Sequence, residues 1–159
     1  SIETLAKKIG LDVSLQRLEI HPIPASVELS QIFQCPQEAP LLKVERVIFA
    51  DNRPVAYLID IVPESVLKEE ELKQGFTGSV LDLLLRRGEP RLQTSIAEIH
   101  AVPAAPEIAK LLEIQRGDVL LLLQSRLLTK EQQVIDYSYS YFLPGYFRFH
   151  VVRRVGQLS

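Results

Sequence analysis

The stretch VERVIFADNRPVAYLIDIVP, residues 44–63, contains two apolar runs separated by a short polar segment. Apolar runs on either side of turn-forming residues predict a β-hairpin, here turning at Asp51-Asn52-Arg53. Arg46 and Asp60 interrupt the two runs. A three-residue turn would place Arg46 opposite Leu58 and diagonal to Asp60 on one face, whereas a different turn would separate the two charges onto opposite faces. The pair therefore predicts either an ion pair at the sheet or a binding pocket.

The rest of the chain predicts more strands and several short helices. Because hairpins dominate, we expect a mostly antiparallel sheet with helices packed on it, an α+β arrangement. Alternation in the first strand places Leu15, Arg17 and Glu19 on one face, and Leu18 and Ile20 on the other. The further predicted strands are 14–25, 92–102, 118–129, 133–143 and 147–154, and the predicted helices are 2–10, 26–33, 65–72, 78–88 and 106–114.

Composition restricts the class of protein. The 159 residues are 47% apolar and 24% charged, as in one ordinary globular domain. The net charge of -2 argues against DNA binding by this chain alone. The chain has neither an apolar run long enough for a membrane span nor a signal-peptide core, so we expect a cytoplasmic protein. Cys35 is the single cysteine, and the first residue is not methionine, which suggests a fragment of a longer chain.

Two further stretches contain candidate binding residues. In GFTGSVLD, Thr77 and Ser79 precede an apolar helix, whose N-terminus either binds an anion or is capped by a hydroxyl. In VIDYSYSYF, three tyrosines alternate with Asp136, Ser138 and Ser140, so the polar face either lines a pocket or meets water. The histidines are not at metal-ligand spacings, and no nucleophile motif is present. We therefore predict no catalytic residue, no metal and no cofactor.

The hairpin within LLKVERVIFADNRPVAYLIDIVP, residues 41–63, resembles the central hairpin of the UTRA domain, the effector-binding half of HutC-type GntR transcription regulators. SVLDLLLRRG, residues 79–88, resembles the next helix of that family, and residues 117–152 resemble its C-terminal hairpin and final strand. The resemblance implies a chorismate-lyase-like fold, with a six-stranded sheet flanked by short helices. Residues 11–159 would form the UTRA domain and residues 1–10 the end of a linker from a winged helix-turn-helix that this chain lacks.

The resemblance also implies a function. The chain would be a ligand-sensing, homodimeric domain that binds a small anionic metabolite and so modulates DNA binding by the N-terminal domain, with no membrane association. The family's second arginine falls at Ile48 and a family glutamate at Leu58, so a small organic acid fits at least as well as a sugar phosphate. Two other functions stay open: a chorismate-lyase-like enzyme that eliminates pyruvate, and a dimerisation module with a collapsed pocket. The expected effector contacts are Arg46, Asp60, Thr77, Ser79, Asp136 and Ser138.

Overall fold

The computed structural model describes residues 13–156, which form one six-stranded antiparallel sheet with short helices. The α+β prediction is therefore confirmed, while the predicted helix at 2–10 lies outside the described residues. The strands follow the order β1-β2-β3-β6-β5-β4, so β1 and β4 form the edges. The strands are β1 (Val13–Pro24), β2 (Pro40–Ala50), β3 (Arg53–Pro63), β4 (Leu92–Pro103), β5 (Val119–Thr129) and β6 (Val134–Phe142); the helices are α1 (Val27–Phe33), α2 (Glu69–Lys73), α3 (Val80–Arg87) and α4 (Pro106–Leu112).

The β2–β3 hairpin has the predicted register around Arg46, but its turn differs from the predicted three-residue turn. Its turn has two residues, Asp51 and Asn52, with φ of 50° and 64°, values typical of a type I′ turn. Such a turn alone would place Arg46 opposite Tyr57. The register shifts by one residue after Ile48, where β3 carries an extra residue in a β-bulge. As a result Arg46 pairs with Leu58, as predicted.

A second irregularity overturns the predicted faces of β1. The register with β2 shifts between Gln16 and Glu19, and Arg17 has a φ of 52°. Leu15 pairs with Ile48 and Ile20 pairs with Val44, two residues of β2 that point to the same face. Leu15 and Ile20 therefore pack into clusters on one face of the sheet. The prediction that Leu15 and Ile20 lie on opposite faces is therefore wrong, because the bulge inserts a residue that a simple alternation does not count.

The predicted final strand, 147–154, is also wrong. Within the described residues this segment makes no strand, and its sheet-like contact is one bridge between Pro144 and Phe147. Within the described residues this segment pairs with neither edge strand, β1 nor β4. Instead, Phe147 and Phe149 pack against Phe142, with ring centroids 5.3 and 5.0 Å away. The segment therefore covers one face of the sheet with aromatic rings.

Both faces of the central strands are covered, whereas the edge strands β1 and β4 are largely exposed. Helices α1 and α4 pack on the face that presents Tyr57, Ile59 and Ile61, whereas α2, α3 and the aromatic segment pack on the other. Because both faces of β2 and β3 are buried, these two strands are apolar over most of their length rather than alternating. The bulge places Val55 in the cluster with Ile48 on the α3 face, so Val55 and Tyr57 lie on opposite faces of the sheet.

Local sequence signals fix the ends of α3. The Ser79 hydroxyl accepts a hydrogen bond from the Asp82 backbone N–H at 3.1 Å, so it acts as the helix cap. Gly88 ends the helix with a φ of 77°, a conformation that glycine adopts without strain. Val80 and Leu84 are buried and anchor the helix to the sheet. In residues 13–156, no helix has the length and apolar character needed to cross a membrane.

Candidate functional site

A cavity of about 180 Å³ lies between the α3 face of the sheet and the first turn of α3. Its volume is below the roughly 300–1,000 Å³ of pockets for drug-sized ligands, so it suits a small metabolite. Strands β2 to β6 form its floor, and residues 78–81 form its roof. Its lining residues are Arg46, Ile48, Leu58, Asp60, Gly78, Ser79, Val80, Leu81, Ser95, Ser125, Leu127, Asp136, Ser138 and Ser140.

The strand registers explain the polar floor. Asp60 pairs with Ser138, and Ser138 pairs with Ser125, so three polar side chains lie side by side across β3, β6 and β5. Two positions along β6, Asp136 pairs with Leu127 on the same face. Paired residues of neighbouring strands point to the same face of a sheet. The pairing therefore gathers polar residues that are up to 78 positions apart in sequence, from Asp60 to Ser138.

Arg46 joins three elements at one end of the cavity. The residue is only 4% exposed, and its Nη1 forms an ion pair with Asp60 Oδ2. Its Nε donates a hydrogen bond to the Gly78 carbonyl at 2.7 Å, just before α3 begins. The guanidinium carbon lies 5.7 Å from the centre of the Phe76 ring, within cation–π range. The ion pair proposed from the sequence is therefore present, and both of its members line the cavity.

Asp136 is the polar group of the cavity that has an unsatisfied atom. The residue is 6% exposed, and its Oδ1 has no hydrogen-bond partner within the described residues. Burial raises the pKa of Asp136 well above its usual value, as do the charge of Asp60 and a hydrogen bond with Asp60, whereas Arg46 acts in the opposite direction. Buried polar atoms are nearly always paired, so an orphan atom in a cavity wall indicates a missing partner.

Five of the six predicted contacts line the cavity: Arg46, Asp60, Ser79, Asp136 and Ser138. Thr77 is the exception, because it is exposed in the loop before α3 and is not part of the lining. Sequence reasoning missed Ser95 and Ser125. A signal for Ser125 was available, because this serine interrupts an apolar run in β5. The local sequence does not show, however, that β5 pairs with β6 and so brings Ser125 beside Ser138.

The opposite face of the sheet carries the predicted tyrosine wall. The rings of Tyr137 and Tyr139 meet edge to face at 5.1 Å. On the same face, Glu19, His21 and Glu45 place their ligand-type atoms within 4.8 Å of one another, a grouping across β1 and β2 that sequence spacing did not reveal. Glu45 also accepts a hydrogen bond from the Tyr57 hydroxyl. We describe this group as a surface ion-pair network.

The comparison with family models decides the classification. The UTRA domain model matches residues 8–148 of the chain. The chain belongs to the UTRA domain family. No curated protein matches this UTRA domain, so its relatives are recognised through the family model and through solved structures.

Solved structures support the fold of this UTRA domain. The effector domain of PhnF from Mycobacterium smegmatis superposes with a TM-score of 0.83 at 19% identity, covering 98% of this chain and 95% of that chain. The longer PhnF structure gives a TM-score of 0.88 at 18% identity, covering 98% and 69%. A GntR-family transcriptional regulator from Enterococcus faecalis V583 gives 0.76 at 23% identity, covering 88% and 100%. At these identities the likeness concerns the fold.

Proposed function

We propose that this UTRA domain is the ligand-sensing domain of a HutC-type GntR transcription regulator and binds a small-molecule effector in the cavity below α3. The observation that carries the proposal is the polar cavity wall with the unpaired Asp136 oxygen. Similar structures support it, because they include GntR-family regulators and one chain described as an effector domain.

The contacts of Arg46 provide a route by which a ligand bound in the cavity can change the position of α3. Arg46 connects β2 to β3 through Asp60, and connects the sheet to the start of α3 through Gly78. A ligand that contacts this pair can favour one position of α3 over another, provided that it binds the two positions with different affinity. Operator binding would belong to a separate N-terminal winged helix-turn-helix, in agreement with the net charge of -2 on this chain.

The same contacts argue for a non-catalytic domain. A lyase acting on the dicarboxylate chorismate would need several free cationic groups to hold two carboxylates. In the described lining, Arg46 is the single cationic residue, and Asp60 already pairs with it. The enzymatic alternative therefore lacks its binding groups at this cavity.

Ligand binding is testable with a variant that fills the cavity. We expect a metabolite screen to raise the melting temperature of the wild type, since a ligand at about 100 times its dissociation constant adds about 2.7 kcal/mol. Ser138→Trp, at the centre of the floor, should abolish that shift while the variant still melts cooperatively. Val27→Trp, at an exposed position on α1, is the matched control and should retain the shift. A shift that survives in Ser138→Trp, or the lack of any active metabolite, would contradict the proposal.

We also propose a homodimer that uses the β4 edge. This strand has a free backbone edge and two exposed isoleucines, Ile96 at 53% and Ile99 at 54%. Long apolar edges favour pairing with another chain. Sedimentation should show a dimer at micromolar concentration, and Ile96→Glu with Ile99→Glu should yield a monomer. Leu85→Glu, exposed on α3, should leave the dimer intact; a monomeric wild type would refute the proposal.

A further inference from the structure

The cavity differs in charge from an anion site. We infer that its effector is a small hydroxylated primary amine, whose ammonium group pairs with Asp136 and whose hydroxyl groups meet the serines of the floor. The inference rests on the proposed ligand-sensing function and adds to it the chemical class of the ligand. It replaces the anionic metabolite that the family resemblance suggested.

The charge of Arg46 is already paired with a carboxylate of the protein. Its Nη1 is engaged with Asp60 and its Nε with the Gly78 carbonyl, so the charge is already paired and an anion would meet only the remaining N–H groups of the guanidinium. An anion would have to compete with the Asp60 carboxylate inside a buried site. Breaking a buried ion pair leaves an uncompensated charge, which proteins tolerate poorly.

Once Asp136 is ionised, the charges of the wall are unbalanced in the direction that favours a cation. The ionisable lining residues are two acids, Asp60 and Asp136, and one base, Arg46. In the described lining the other side chains are serines and aliphatic residues, which carry no charge. When Asp136 is ionised, the wall therefore lacks one positive charge. An ammonium group supplies that charge and donates to the unpaired Oδ1 at the same time.

Serine hydroxyls surround the carboxylates. Ser138 and Ser125 continue the row that starts at Asp60, and Ser140 follows on β6. A serine hydroxyl can donate one hydrogen bond and accept others, so it matches a ligand hydroxyl, which can do the same. The aliphatic remainder of the wall, which includes Leu58 and Leu127, suits the short carbon skeleton between the polar groups.

Proton linkage provides a signature of a cationic ligand. The titratable or charged groups that face Asp136 are Asp60 from β3 and Arg46 from β2; α3, β4 and β5 contribute no such group to the described lining. Because the pKa of free Asp136 is raised, the carboxyl carries a proton over a wider pH range than an exposed aspartate does. An ammonium ligand stabilises the ionised form, so binding releases that proton. Affinity should therefore increase with pH until free Asp136 is already ionised.

Three probes on one three-carbon skeleton test the charge class: serinol (amine), glycerol (neutral) and glycerate (acid). Isothermal titration calorimetry of the wild type should show serinol binding about ten-fold or more tightly than the other two, a difference of at least about 1.4 kcal/mol. Titrations in buffers of different ionisation enthalpy should show proton release with serinol. Asp136→Asn should remove both the preference for serinol and the proton release, while circular dichroism reports a retained fold.

The outcomes separate this inference from the proposed function. Tighter binding of glycerate or inorganic phosphate than of serinol, with Ser138→Trp blocking it, would overturn the amine and leave the ligand-sensing function standing. Serinol affinity that is unchanged in Asp136→Asn, or absent in the wild type, would also overturn the amine. If none of these probes and no metabolite in the screen binds at the cavity, both the amine and the ligand-sensing function fail.

Discussion

Arg46→Ala is expected to lower the free energy of unfolding by about 3–5 kcal/mol, the usual effect of removing one partner of a buried ion pair. The loss has a clear origin, because Asp60 would remain buried beside Asp136 with no cation to compensate either group. The hydrogen bond to the Gly78 carbonyl would be lost as well, which loosens the start of α3. Chemical denaturation of wild type and variant measures the difference directly.

Two further variants identify the cause of that loss. Adding Asp60→Asn to Arg46→Ala should recover much of the stability, because the uncompensated charge is then removed. Arg46→Lys should recover only part, since lysine retains the charge but cannot make two directed contacts from a planar group. If Arg46→Ala melts like the wild type, the ion pair contributes little to folding. In that case the contribution of Arg46 must be sought in ligand binding.

Leu84→Ala is expected to cost about 2–5 kcal/mol, since it creates a cavity where a buried leucine was packed. Leu84 is fully buried and joins α3 to the cluster that contains Leu42 and Val62. The next residue, Leu85, is exposed on the same helix, so Leu85→Ala is a matched control that should change stability by no more than about 0.5 kcal/mol. Urea unfolding curves of the two variants provide the comparison.

The effect of Leu84→Ala should extend to the roof of the cavity. Gly78 and Ser79 are held in place by the helix that Leu84 anchors. We therefore expect weaker effector binding in Leu84→Ala and unchanged binding in Leu85→Ala. Equal stability losses in the two variants would show that α3 does not depend on this contact.

The sequence predicted which residues of one strand share a face better than it predicted which strands lie next to each other. Alternation placed Asp136 and Ser138 on the polar face of β6, and that face does line the cavity. Ser95 and Ser125 reach the same cavity through the pairings of β4 with β5 and of β5 with β6, which local sequence does not encode. The cluster of Glu19, His21 and Glu45 could not be predicted from the sequence for the same reason, since its members come from two strands.

Two differences between the prediction and the structure have another physical origin. The segment after β6 has the composition of a strand, but its aromatic rings pack on a face of the sheet instead of pairing with a free edge, and strand composition alone cannot form a ladder. Thr77 precedes a helix as an anion-binding residue would, yet the residues of this loop that line the cavity are Gly78 and Ser79. In both cases the local sequence pattern is present, but the tertiary structure determines which residues pair or line the cavity.

The bulge in β3 has a consequence for aligning this chain with its relatives. Val55 is the residue left unpaired between the Pro54–Phe49 and Ala56–Ile48 pairs. A relative without this residue would keep the β2–β3 pairing on both sides, so a one-residue gap placed there leaves the register unchanged. The same gap between residues 56 and 63 would exchange the faces of the residues that follow it. Positions of β3 should therefore be matched by counting from the middle of the sheet rather than from the turn.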